Sequence, residues 1–191
     1  MEAFLRALLP RLLPEGRSFE VHPFQGKTDL LGKLQGRLKG YETWLPEDWR
    51  IVVVVDRDDD DCEALKDRLE AIASGCGLLT RSRANGAPWQ LVNRIAVEEL
   101  EAWYFGDWPA VCSVYTRVAP GIPGQAGYRD ADAIRGGTWE AFERVLKRYG
   151  YFRSGLPKLE VARTIGAQLD PGRSRSRSFV MFREAIAEAM T

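Results

Sequence analysis

Residues 51 to 61 read Ile51-Val52-Val53-Val54-Val55-Asp56-Arg57-Asp58-Asp59-Asp60-Asp61. The first five are apolar and β-branched without interruption, the pattern of a strand covered on both faces, as in a parallel sheet. The stretch then turns from fully apolar to almost fully acidic. In open α/β sheets ligands gather where parallel strands end, so this boundary marks both the fold and the candidate site. On extended backbone Asp56 and Asp58, two residues apart, point the same way. Oxygen ligands of this kind favour Mg²⁺ or Mn²⁺. A plainer reading stands beside this one: an acidic turn placed at the N-terminus of the next helix, where negative charge is welcome.

Outward from that strand, alternation continues. Met1–Leu13 places Phe4, Leu8 and Leu12 at helical spacing, and Pro10 is expected to kink or divide the helix. Phe19–Phe24 reads as a short strand. Thr28 is placed to cap a helix carrying Leu30, Leu31, Leu34 and Leu38. Cys62–Ala73 is helical, Leu78–Arg83 and Gln90–Val97 read as strands, and a helix follows near Glu98–Phe105. The expectation is an open α/β sheet of four parallel strands flanked by helices. Beyond it, Ala119–Tyr128 is a glycine- and proline-rich loop, and helices are expected at 138–149, 157–169 and 178–190. Domain boundaries follow: an α/β core over 1–110 and a helical C-terminal part over 111–191, the two able to pack as one compact domain.

Composition narrows the classes. The chain has 191 residues, 27 basic and 27 acidic side chains, and one histidine. A histidine-rich metal site is excluded, and no apolar run approaches the ~20 residues of a membrane span. Three cysteines at unrelated spacings fit neither a disulfide framework nor a zinc site and suit a reducing cytoplasm. The charge is uneven: residues 135–191 carry 11 Lys and Arg against 6 Asp and Glu, leaving the first 134 residues net acidic. An acidic front and a basic back fit a metal site beside an anion-binding surface, or two differently decorated solvent faces.

Two further segments carry candidate chemistry. In Arg94–Asp107 the glutamates Glu98, Glu99 and Glu101 close an apolar run, either to meet the aspartates or to charge a first helical turn. Gln25-Gly26-Lys27-Thr28 looks like the end of a phosphate-binding loop. That pattern requires glycine where Val21 stands, and Pro23 lacks the N–H that would face a phosphate. A P-loop is therefore rejected, while Lys27 is kept as an anion contact near the sheet edge. His22 is read as structural. Trp44, Trp49, Trp103, Trp108 and Trp139 are candidate interface anchors, with Trp103 assigned to the core.

The segments EAFLRALLPRLL, QGKTDLLGKLQGRLKG, VVVDRDDDDC, RIAVEELEAWYFGD and PKLEVAR with RSRSRSF resemble a bacterial TOPRIM-like family, relatives of the nuclease domain of overcoming-lysogenisation-defect (OLD) proteins. The resemblance implies a TOPRIM-like fold, divalent-metal phosphodiester chemistry on DNA or RNA, and a role in defence against phage or foreign DNA beside an ABC-type ATPase partner. It assigns Asp56 and Asp58 to the DxD pair, with Glu101, then Glu99, as the further acidic ligand. Lys158 is implied as a catalytic phosphate-neutralising residue, and Arg173, Arg175 and Arg177 as nucleic-acid contacts. The family opens with a strand ending in glutamate; this chain opens with the helix that follows it, which implies a sheet one strand short and reduced activity. Three functions are carried forward: a metal-dependent endonuclease, a non-catalytic subunit that docks on an ATPase and senses nucleic acid, and a metal-dependent nucleotide transferase. A homodimer is compatible with each.

Overall fold

A computed structural model describes residues 1–190. The architecture is mixed α/β: a two-stranded parallel sheet flanked by helices. Strand β1 (Ile51–Asp56) pairs in register with β2 (Leu91–Ala96), Ile51 opposite Leu91 and Asp56 opposite Ala96. Helices α1 (Glu2–Leu12) and α2 (Gly26–Glu42) precede the sheet, and α3 (Cys62–Ser74) crosses between its strands. After β2 come α4 (Glu101–Gly106), α5 (Trp108–Val114), α6 (Thr138–Arg148), α7 (Lys158–Gln168) and α8 (Arg177–Ala189). Among the described residues no helix is long and apolar enough to cross a membrane.

Two expected strands are absent. Phe19–Phe24 joins no ladder among the described residues; Pro23 has no N–H to offer, and the Val21 carbonyl accepts the Arg6 side chain instead. Leu78–Arg83 makes one bridge, Thr80 to Leu91, and then turns, Arg83 N–H donating to the Thr80 carbonyl. Its polar side chains explain the break, because Ser82 donates to the carboxylate of Glu70 on α3. Two boundaries also move. Pro10 sits in the last turn of an undivided α1, and α2 starts at Gly26, with the Gln25 amide donating to Asp29 while Thr28 lies inside the helix.

Alternation along β1 supplies two cores. Val53 and Val55 face Leu30, Leu34 and Leu38 of α2 and Leu65 and Leu69 of α3. Val52 and Val54 pack on a larger cluster in which Phe4 and Leu8 of α1 meet Trp103, Phe142, Ile165 and Phe179. That cluster draws on residues from both ends of the chain. Helix α1 lies so close to α7 that a methyl group added to Gly166 would stand 2.7 Å from the Phe4 carbonyl oxygen.

Candidate functional site

Both strands deliver their last residues to the same edge, and the segments that follow are tied together. Arg57 N–H donates to the Ala96 carbonyl (2.9 Å) and Asp58 N–H to the Glu98 carbonyl (2.8 Å). The Arg57 guanidinium pairs with the Glu98 carboxylate. Asp58 and Glu98 both adopt left-handed backbone (φ 50° and 62°), a conformation costly for residues with a Cβ. Such strain gathers where a fold places side chains against their local preference. It has a direct consequence: β1 ends at Asp56, so Asp58 does not continue the alternation. The extended backbone that would aim both carboxylates the same way is not kept at Asp58.

Asp56 lies half-buried at the strand terminus, with Asp58 and Glu99 close enough to oppose its ionisation. Burial is the main cause that pushes its carboxyl up to about 6; the Met1 amino group and the Leu100 amide pull the other way. Its Oδ1 is buried and has no hydrogen-bond partner among the described residues. Glu101, in the first turn of α4, is pushed up to about 7, chiefly by burial and further by Glu99 and Asp56, against the opposing charge of Lys158. Lys158 begins α7, its ammonium 3.7 Å from the centre of the Trp139 ring. Tyr104, 1% exposed, lies beside Glu101 and Asp56, and burial raises its phenol far above the ordinary range. The sheet edge thus gathers Asp56, Glu99, Glu101, Lys158 and Tyr104. Among the described residues no three of His, Cys, Asp and Glu stand together as a formed metal site.

The remaining candidates are committed elsewhere. Lys27 reaches over from α2 and places its ammonium 2.9 Å from both Asp58 Oδ2 and Asp60 Oδ2, and 2.7 Å from the Arg57 carbonyl. Burial opposes its charge, but the hydrogen bonds to Asp60 and Asp58 outweigh this and raise its pKa. Asp61 is the helix cap anticipated for the acidic run, accepting from the Ala64 amide at 2.8 Å. Glu99 holds the start of α6 through Oε2, which accepts from the Trp139 amide (2.8 Å) and the Thr138 hydroxyl (3.2 Å).

In the Arg-Ser alternation of 173–178 the arginines are exposed and the serines turn inward. Ser176 and Ser178 donate to Asp132 Oδ1 at 2.7 and 2.9 Å, and Trp103 Nε1 donates to Ser178 at 2.9 Å. Arg173 pairs with the fully buried Asp107, Nε to Oδ1 at 2.5 Å. Arg175 and Arg177 are exposed and lie on this segment with it. Sequence reading missed Tyr104, Asp132 and Asp107. The first could have been found from its position one helical turn beyond Glu101, whereas the two aspartates carry no local signal.

These features define a mixed α/β protein with a carboxylate cluster at the C-terminal edge of a parallel strand pair. A family model described as a domain of unknown function (DUF4276) matches residues 1–187, and the chain belongs to that family. No curated protein and no solved structure matches it.

Proposed function

We propose that this chain is a TOPRIM-like, divalent-metal-dependent nuclease of nucleic-acid phosphodiesters, serving in defence against phage or foreign DNA. The observation that carries the reading is the buried Oδ1 of Asp56, unpartnered among the described residues, with Asp58 and Glu99 opposing the ionisation of Asp56 and Glu99 and Asp56 opposing that of Glu101. A buried acceptor without a donor costs ~1–3 kcal/mol, and a cation removes that cost and the mutual repulsion together. All the donors are oxygens, which fits Mg²⁺ or Mn²⁺. Asp56 and Glu101 would hold the ion, with Glu99 beside them and Asp58 joining on release from Lys27. Bound there, the metal supplies Lewis-acid charge to a phosphodiester and lowers the pKa of a water.

The chain's own groups then divide the work. Lys158, its ammonium over the Trp139 ring, would neutralise a phosphate oxygen next to Glu101. Lys27, freed from Asp58, would carry a second positive charge to the same edge. Glu101, pushed up to about 7 in the metal-free protein, would release its proton on taking up the ion. Exposed Arg175 and Arg177 would hold backbone without reading sequence.

One observation favours the second reading, a non-catalytic subunit on an ABC-type ATPase. The Lys27 ammonium already neutralises Asp58 and Asp60 as a metal would. A gel assay with supercoiled DNA, single-stranded DNA and RNA separates the two. Cleavage in Mg²⁺ or Mn²⁺, lost in EDTA and in Asp56→Asn, is expected of the nuclease. No cleavage of any substrate, with metal still bound, would favour the subunit.

A further inference from the structure

The outer face of α2 is used neither by the carboxylate cluster nor by the core. Leu30, Leu34 and Leu38 point inward, while Gly32, Gly36 and Gly40 recur every fourth residue on the opposite side. A methyl group added at any of the three would meet nothing within 4 Å among the described residues. Glycine weakens a helix interior relative to alanine, and no close packing inside the chain requires it here. The stripe instead floors an open groove of about 770 Å³. Phe24, Tyr41, Trp44 and Trp49 line it, and its charged groups are Lys33, Arg37 and Glu20.

Two properties of the walls identify an occupant. The indoles are presented to solvent, Trp44 at 57% and Trp49 at 42%, with Trp44 5.3 Å from the Tyr41 ring. Arg37 has no carboxylate partner among the described residues; its guanidinium lies 3.4 Å from His22 Nδ1 and 6.0 Å from the Phe24 ring centre. Lys33 is paired with Asp29, and Glu20 sits 3.3 Å from His22 Nε2. An unneutralised cation beside open ring faces suits a ligand with repeated phosphates and exposed bases. A duplex offers phosphates but hides its base faces, and an apolar partner helix would leave Arg37 unsatisfied.

We propose that this groove binds single-stranded nucleic acid, bases stacked on Trp44 and Trp49, a phosphate held by Arg37, and the backbone running over the glycine floor. The inference rests on the nucleic-acid part of the proposed function but not on its chemistry. Helix α2 links the groove to the strand edge, because Lys27 near its start touches Asp58 and Asp60.

The test titrates the full chain in EDTA with an oligothymidylate of about 12 nucleotides, within the usual reach of such sites. Tryptophan fluorescence and anisotropy are read together. Saturable quenching that weakens with salt is expected. Trp44→Ala, Trp49→Ala and Arg37→Ala should each weaken binding by about tenfold, the scale of one stacked base or one charged contact. Gly36→Leu should fill the floor and weaken binding similarly while its thermal melt stays at or above the parent's. A duplex of equal length should bind at least about tenfold more weakly. Absence of saturable binding, or binding that none of the four substitutions alters, overturns the proposal. A dimer in sedimentation that Gly36→Leu dissociates also overturns it, by giving the groove to a second copy. Because EDTA prevents cleavage, failure here leaves the metal-site reading standing, and failure of cleavage leaves this binding result intact.

Discussion

Asp56 and Glu101 are carboxyls that folding makes harder to ionise, held at about 6 and about 7 where ordinary values are 3.8 and 4.5. The folded state therefore binds protons more tightly than the unfolded chain. Their stabilising contribution is complete below about pH 4 and is lost as pH rises through 6 and 7. A tenfold change in proton affinity is worth about 1.36 kcal/mol, so each carboxyl accounts for on the order of 3 kcal/mol. The melting temperature of the metal-free protein should fall between pH 5 and pH 8, and Glu101→Gln should remove about two thirds of the fall. A flat profile in the parent would contradict the burial of these groups. Glu70 does not confuse this window: burial opposes its charge, but bonds from Ser82, Thr80 and Asn93 lower its pKa, so its effect appears at more acid pH. Asp61 offers a control of the opposite kind. As a cap on α3, its replacement by alanine should cost about 1 kcal/mol in chemical denaturation and leave metal binding unchanged.

At the scale of elements, the segment 173–178 separates inward from outward residues. Arg173→Ala would leave the buried Asp107 without its guanidinium partner and should cost ~1.5–3 kcal/mol, the scale of hydrogen bonds to a charged group. Arg175→Ala should change stability by less than about 0.5 kcal/mol, since its side chain is exposed. Equal effects in urea unfolding would mean that the alternation has been read with the wrong phase. What the sequence made legible follows the same division. β1 was readable because five consecutive apolar β-branched residues admit few other conformations, and α3 because its leucines keep helical spacing. Phe19–Phe24 and Leu78–Arg83 looked like strands by local composition. Their fates were decided by distant groups, the Arg6 guanidinium and the Glu70 carboxylate, which no short window contains. The candidate site divided likewise. Asp56 and Glu101 were legible from position at the ends of apolar runs, but the left-handed turn at Asp58 and its capture by Lys27 were not.

At the scale of the molecule, one large core joins α1 to α7 and α8, so the N-terminal and C-terminal thirds stabilise each other. Unfolding monitored by tryptophan fluorescence and by far-ultraviolet circular dichroism should give one coincident transition. A fragment ending at residue 110 should not melt cooperatively, because Phe4, Leu8 and Trp103 would lose Phe142, Ile165 and Phe179. The same union fixes the site, since Asp56 comes from β1, Glu101 from α4 and Lys158 from α7. The most direct test is whether that junction takes a divalent cation. Calorimetric titration of the full chain with Mn²⁺ at pH 8 should show saturable binding, abolished in Asp56→Asn while the variant keeps its fold. No binding by the parent, or undiminished binding by Asp56→Asn, would contradict it.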